Sequence, residues 1–353
     1  MVRRQRLYVE EPGGFCFRTP PLPAPWHALT ALLTMRGVAL ADRLATVAFV
    51  QRLRRTRFRG GAQLTVAALL ADQPREVVRK LWEPLCIAAL NTPTHRASAQ
   101  IFLNTIRATF AENARHSDLL LPLVDLSALF PNAAARYVIE RGGQICIGRS
   151  VTGIALRDDA IELTSGIGSD RYAACVIAVG PHQLEALLSN VHTPQVGVAL
   201  GAVAAFAYEP IRTVYLRYPV TPPLSRPMLK LDGRPGQWLF DRGQLGGEPG
   251  LVAAVISTDV SEARTDHPSL ARAIDAQIRL KLPVLAEPIW SQVIAERRAT
   301  YACVAGLVRP LPGRLGPRLY LAGDYTDPEL PATLEAATRS GVSAARSLLA
   351  GPE

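Results

Sequence analysis

A glycine–aspartate pair at the end of a short apolar run can hold an anionic ligand against a sheet edge. Residues 318–346, RLYLAGDYTDPELPATLEAATRSGVSAAR, carry that arrangement. Leu319 to Ala322 read as a buried strand that stops at Gly323, where a missing Cβ lets the backbone come close to a ligand. Asp324 then falls at the strand's carboxyl end, the edge at which open α/β sheets bind their ligands. Pro331 suits the first turn of a following helix, and Ala336, Ala337, Ser340, Gly341, Ala344 and Ala345 are small enough to pack that helix tightly on a sheet. Its amino end presents unpaired N–H groups to whatever fills the crevice.

The string GDYTDPELPATLEAATRSG resembles the carboxyl-terminal FAD signature of flavin amine oxidases, phytoene-type desaturases and squalene-associated flavoenzymes. The resemblance implies that Asp324, next to Gly323, contacts the ribityl and pyrophosphate region of FAD. It also implies that the Thr333 and Leu334 amides face the pyrimidine edge of the flavin. Tyr325 is placed either to wall the flavin or to pack in the core.

Further stretches narrow the likeness. LWEPLCIAALNTP (81–93), ASAQIFLNTIRATF (97–110), the segment 117–145, YEPIRTVYLRYP (208–219) and ERRATYACVAGLVRP (296–310) resemble, in order, the hydroxysqualene dehydroxylases of bacterial hopanoid pathways. That resemblance implies a lipophilic C30 isoprenoid substrate and reductive removal of an allylic hydroxyl. The cofactor would deliver hydride while the protein orients, excludes water and protonates the leaving group. An acid with a raised pKa in an apolar tunnel would suit the last task. Asp125, in LLLPLVDLSALF, is the catalytic candidate on its apolar setting, and a helix N-cap is the other reading of the same residue. His95 and His116 flank polar helix ends and read as surface residues. The electron donor for the flavin is unknown at this level. A desaturase or amine oxidase with another substrate is the alternative within the fold, although 6% aromatics leave little for an amine-binding cage.

Members of this superfamily open with a strand, a G-x-G-x-x-G turn and a helix that cradles the pyrophosphate. The chain has no such motif: Gly166 and Gly168 put Arg171 at the third position and lie between two strands. Residues 1–30 resemble a point well inside the family sequence. The expectation is a cofactor domain lacking at least one amino-terminal βαβ unit, through a shortened gene, a misassigned start or a split protein. An inactive remnant that does not bind FAD alone is the reading of a different class.

The net charge of +9 rests almost wholly on arginine, the lysines being Lys80, Lys230 and Lys281. RLRRTRFR (52–59) ends an apolar helix candidate, which suits either a solvated turn or peripheral contact with an anionic membrane surface. No helix-turn-helix, zinc or aromatic-basic pattern accompanies the charge, so no nucleic-acid partner is expected. Five scattered cysteines without C-x-x-C argue for reduced thiols and a cytoplasmic protein, and against metal and disulfides. The longest apolar run, Val196 to Tyr208, is too short to span a bilayer.

To place these residues, the chain must fold as an α/β protein: an FAD/NAD(P)-binding, Rossmann-like domain of amine-oxidase type, interleaved with an α+β substrate domain. Helical periodicity around 27–36, 38–55, 62–71, 75–90 and 96–112 makes residues 1–140 the helical part of the substrate domain. Residues 141–190 read as a cofactor-domain segment, with strands at Val151 to Leu156, Ala160 to Thr164 and Tyr172 to Val179. By resemblance Val151 lies near adenine, and Ala178 and Gly180 near the dinucleotide. Residues 191–305 supply the substrate-domain sheet, with strands near 211–218, 236–241, 251–257 and 289–299 and a helix near 268–282. Residues 306–353 return as the carboxyl-terminal FAD-binding segment.

Without a pyrophosphate cradle, this chain of 353 residues is expected to bind FAD weakly or not at all. Each missing charge-assisted hydrogen bond removes about 1.5 to 3 kcal/mol. Absorbance at flavin wavelengths after gel filtration measures it, and a yellow protein with near-stoichiometric flavin would refute it.

Overall fold

The computed structural model describes residues 1–11, 14–258 and 266–351. Helices occupy Trp26–Thr34, Leu40–Arg55, Val66–Leu69, Arg75–Val77, Glu83–Leu90 and Ala99–Phe110, where the apolar periodicity places them. Pro84 lacks an amide hydrogen to give the Lys80 carbonyl, and the helix widens into a π turn over Val78–Trp82 just before it. Ser98 caps the Ala99–Phe110 helix through its hydroxyl, which accepts from the Ile101 amide. These helices pack around Leu81, Trp82, Cys86, Phe102 and Leu103, all nearly free of solvent. The same core continues into Ile154, Ile177, Leu319 and Leu321, so the helical region and these strands share one interior.

Residues 1–140 are not wholly helical. Val2–Gln5 pairs antiparallel with Leu119–Pro122, and Tyr8–Glu10 forms a hairpin with Cys16–Arg18. Helix Pro131–Glu140 buries no side chain, and Phe130, Tyr137 and Ile139 stand exposed.

The expected strand Tyr172 to Val179 divides in two. Gly168–Tyr172 completes a three-stranded antiparallel ribbon with Val151–Leu156 and Ile161–Ser165. Cys175–Ile177 leaves that ribbon to pair parallel with Leu319–Leu321, in the register Cys175 opposite Leu319 and Ile177 opposite Leu321. Gly313–Gly316, a short strand absent from the sequence reading, pairs on the other side of Leu319–Leu321.

The run Val196 to Tyr208 becomes a helix, Pro194–Ala204, capped by Thr193, and then enters the strand Tyr208–Arg217. That strand is flanked by Leu251–Ser257 and Trp290–Tyr301 in a five-stranded antiparallel sheet, extended by Trp238–Asp241 and Met228–Lys230. Helix His267–Lys281 covers one face, where Leu270, Ile274 and Ile278 meet Val214, Leu216 and Val252 in a second core. Beneath it the Tyr218 hydroxyl donates to Asp275 at 2.8 Å.

Gly246 has φ +81, and a Cβ there would strike the Leu123 carbonyl; Gly233 has φ +78 but open space around it. Gly233→Ala should cost about 1 to 2 kcal/mol for the left-handed backbone alone. Gly246→Ala should cost more, because the Leu123 carbonyl must also move. Equal losses in urea melts would show that the segment around Leu123 yields freely.

Candidate active site

The parallel pair Cys175–Ile177 and Leu319–Leu321 ends at one sheet edge, and the chain there is fixed by a set of short contacts. The Ala322 amide donates to the Ile177 carbonyl at 2.9 Å, extending the ladder by one residue. The Gly323 amide donates to the Ser340 hydroxyl at 2.9 Å, and that hydroxyl donates to Ala337 O at 2.7 Å. Thr326 returns its hydroxyl to the Gly323 carbonyl at 2.8 Å. Tyr325, 1% exposed, crosses to the neighbouring strand end and donates its hydroxyl to the Val179 carbonyl at 3.1 Å. Its ring occupies the space a Cβ on Gly323 would need. Of the two readings of Tyr325, the structure realises packing, and the glycine is required by that ring.

The helix after the loop runs Leu334–Leu349, three residues later than Pro331 would start it. Thr333 is its N-cap, the hydroxyl accepting from Ala336 N at 3.1 Å. The cap satisfies one amide and leaves those of Leu334 and Glu335 without a partner among the described backbone hydrogen bonds. Ala336, Ser340 and Ala344 form the buried face, whereas Ala337 and Ala345 are exposed.

Asp324 is half-buried and not fully open to solvent as a strand-end residue would be. Burial pushes its carboxyl above the ordinary range, while a backbone hydrogen bond from Tyr325 and the charge of Arg309 pull it back. Arg309, which sequence reasoning passed over, braces the whole loop. Its guanidinium donates to Leu330 O at 2.6 Å, Pro328 O at 2.8 Å and the Tyr301 hydroxyl at 2.7 Å. The one signal for it is an arginine in an otherwise apolar stretch, AGLVRPLPG. Beside the loop lies a cavity of about 460 Å³ lined by Ile101, Cys303, Leu307, Arg309, Thr326 and Pro328 among others. Burial pushes the Cys303 thiol up to about 11, so it stays protonated.

Ala178 and Gly180 follow the strand Cys175–Ile177 and share this edge with Gly323 and Asp324. Val151 lies elsewhere, in the three-stranded ribbon, where it opposes Ser165. Asp125 does not stand in an apolar tunnel: it is exposed and caps the short helix Leu126–Leu129, its Oδ1 accepting from Ala128 N at 2.8 Å. The apolar residues around it, Leu120, Leu126 and Phe130, are themselves exposed and so do not enclose it.

These residues fit the flavin end of FAD: two unpaired helix amides stand beyond the loop that carries a half-buried carboxylate. When bound there, FAD would be held by Asp324 and the Leu334 and Glu335 amides, and would supply hydride chemistry. No glycine-rich turn in the chain matches its pyrophosphate.

Two substitutions test these placements. Ionising Asp324 costs stability as pH rises from the ordinary carboxylate pKa through its raised folded value, because the folded state binds that proton more readily. Asp324→Asn should therefore raise the melting temperature at neutral pH, with the gain fading toward about pH 4. A lower melting temperature at neutral pH would mean that Arg309 favours the charged form outright. For Asp125, Asn should leave stability unchanged and Ala should cost about 0.5 to 2 kcal/mol in denaturant melts. An equal cost for both would remove the cap.

A family profile described as "Flavin containing amine oxidoreductase" matches residues 8–349. A Rhodopseudomonas palustris protein named hydroxysqualene dehydroxylase is 30% identical over 280 residues, 77% of this chain and 62% of its own. A Sinorhizobium fredii protein of the same name is 28% identical over 275 residues, 76% of this chain and 61% of its own. The chain thus spans about three fifths of the length of these relatives. Among solved structures, an oxidoreductase from Methanosarcina mazei superposes with a TM-score of 0.71 at 14% identity, over 97% of this chain and 81% of that one. With the profile running from the first hairpin to the last turn of the final helix, the chain belongs to the flavin-containing amine oxidoreductase family.

Proposed function

We propose that the chain acts in FAD-dependent reductive dehydroxylation of hydroxysqualene to squalene, a step of hopanoid-type isoprenoid synthesis. The observation that carries this reading is its likeness to relatives named hydroxysqualene dehydroxylase. The braced loop of Asp324 supports it, since the flavin end of the cofactor needs such a loop. The overall change adds a proton and a hydride to the allylic alcohol and releases water. Bound FAD, first reduced by a two-electron donor, would supply the hydride and be left oxidised.

The chain's own residues do the rest. Asp324 and the helix amides would orient the cofactor, and Arg309 holds their loop rigid through three hydrogen bonds. The cavity beside Thr326 would receive the reacting segment, with Ile101, Leu307 and Leu311 shielding an allylic cation from water. Asp125 does not line this cavity, so the proton to the leaving hydroxyl comes from another source in this scheme. An amine substrate is disfavoured by the aromatic residues near the loop. Phe206, Tyr301 and Tyr325 pack on one another, each under 10% exposed, and form no open cage.

A C30 substrate has to be collected from a bilayer. Among the described residues no helix is long and apolar enough to cross one. Peripheral contact through the first two helices fits: Trp26, Leu40 and Leu44 are exposed, and Arg52, Arg54, Arg55, Arg57 and Arg59 follow.

The test is squalene formation from hydroxysqualene, without oxygen, with excess chemically reduced FAD added to the purified chain. Squalene should appear, and Asp324→Ala should raise the FAD concentration needed for half-maximal yield roughly 10-fold or more, about 1.4 kcal/mol of lost cofactor binding. Saturable flavin binding without squalene would rule out this substrate.

A further inference from the structure

We infer that a second site, a groove of about 480 Å³ on the Tyr8–Glu10 and Cys16–Arg18 hairpin, binds a phosphate-bearing ligand. The register sets Tyr8 opposite Arg18 and Glu10 opposite Cys16, so these four side chains share one face of the hairpin. A backbone bridge from Cys16 to Arg36 brings in the end of the first helix segment, and Arg226 arrives from the loop before Met228. Three guanidinium groups therefore line a concavity with a single carboxylate.

The charges are not balanced internally. Glu10 stands 3.9 Å from Arg226, and no ion pair among the described residues involves Arg18 or Arg36. Arg226 lies over the Tyr8 ring, 4.5 Å from its centroid, which fixes the direction of its fork. Tyr8 is 1% exposed, and its hydroxyl accepts from the Met228 amide at 3.1 Å. That contact anchors the ring on which Arg226 lies.

Arginine forks pair with phosphate oxygens two at a time, and a concave basic surface concentrates anions. Three guanidinium groups against Glu10 leave a net charge of +2, of which a monocarboxylate would match half, whereas a phosphate monoester carries nearly two negative charges. The same chemistry is offered by a soluble phosphate monoester and by the monoester headgroup of phosphatidic acid. None of this depends on the flavin reading, because the groove shares no residue with the cavity beside Thr326.

Calorimetric titration with sodium pyrophosphate at low salt tests the site on the full chain. Binding to wild type should weaken at least 10-fold in Arg18→Gln/Arg36→Gln, and equally in Ser225→Asp, which sets a negative charge on the exposed rim. Arg272→Gln, on the helix over the sheet, should leave it unchanged. No binding to wild type, or equal binding to all four proteins, would overturn the inference. Flotation with phosphatidic acid or phosphatidylcholine vesicles then identifies the source. Loss of phosphatidic acid binding in the groove variants, with competition by pyrophosphate, assigns a headgroup; unchanged flotation with weakened pyrophosphate binding assigns a soluble phosphate.

Discussion

The parallel pairing of Cys175–Ile177 with Leu319–Leu321 is the contact on which the candidate site rests. Residues 178–318 intervene, and they contain the whole five-stranded sheet and its helix. Such an excursion is tolerable because each doubling of a loop adds only about 0.6 kcal/mol of closure entropy. Bringing the ends back in one register is the more demanding requirement, since a slip of one residue would exchange Leu319 and Leu321 in the main core with Tyr320 on the opposite, also buried face. Two bonds beyond the strands hold that register, one from the Ala322 amide to Ile177 and one from the Tyr325 hydroxyl to Val179.

From that pairing the rest of the site follows by short steps. Tyr325 needs Gly323, Gly323 needs Ser340, and Ser340 places the helix whose cap is Thr333. Arg309 closes the set by tying the loop carbonyls to the Tyr301 ring system. Groups that would touch a cofactor are thereby held by neighbours that would not, which is how a binding loop is kept ordered at little cost in side-chain freedom.

Much of this could be read from the chain. Helix and strand positions followed from periodicity because most elements are half-buried, and the strand Leu319–Leu321 announced itself by its apolar run before Gly323. The split of 172–179 could not be read, because an exposed ribbon strand and a parallel strand in which only Ile177 is buried follow one another across Ala173 and Ala174 with no turn residue between them. Asp125 misled for a related reason: its apolar neighbours Leu126 and Phe130 are themselves exposed and enclose nothing. Pro331 signalled a helix, but the Thr333 cap is the stronger start, since it satisfies an amide that proline leaves alone. Arg309 was hard to single out because two of its three partners are backbone carbonyls, which have no letter in a sequence.

Helix Pro131–Glu140, which buries no side chain, has a kinetic meaning. A helix of ten residues is marginal in water when nothing packs on it. Its amide protons should then exchange with solvent at rates set by local fraying, while those of Leu319–Leu321 wait for global opening. The chain thus combines a slow-exchanging strand pair at the cofactor edge with a fast-breathing segment that a protease would find first.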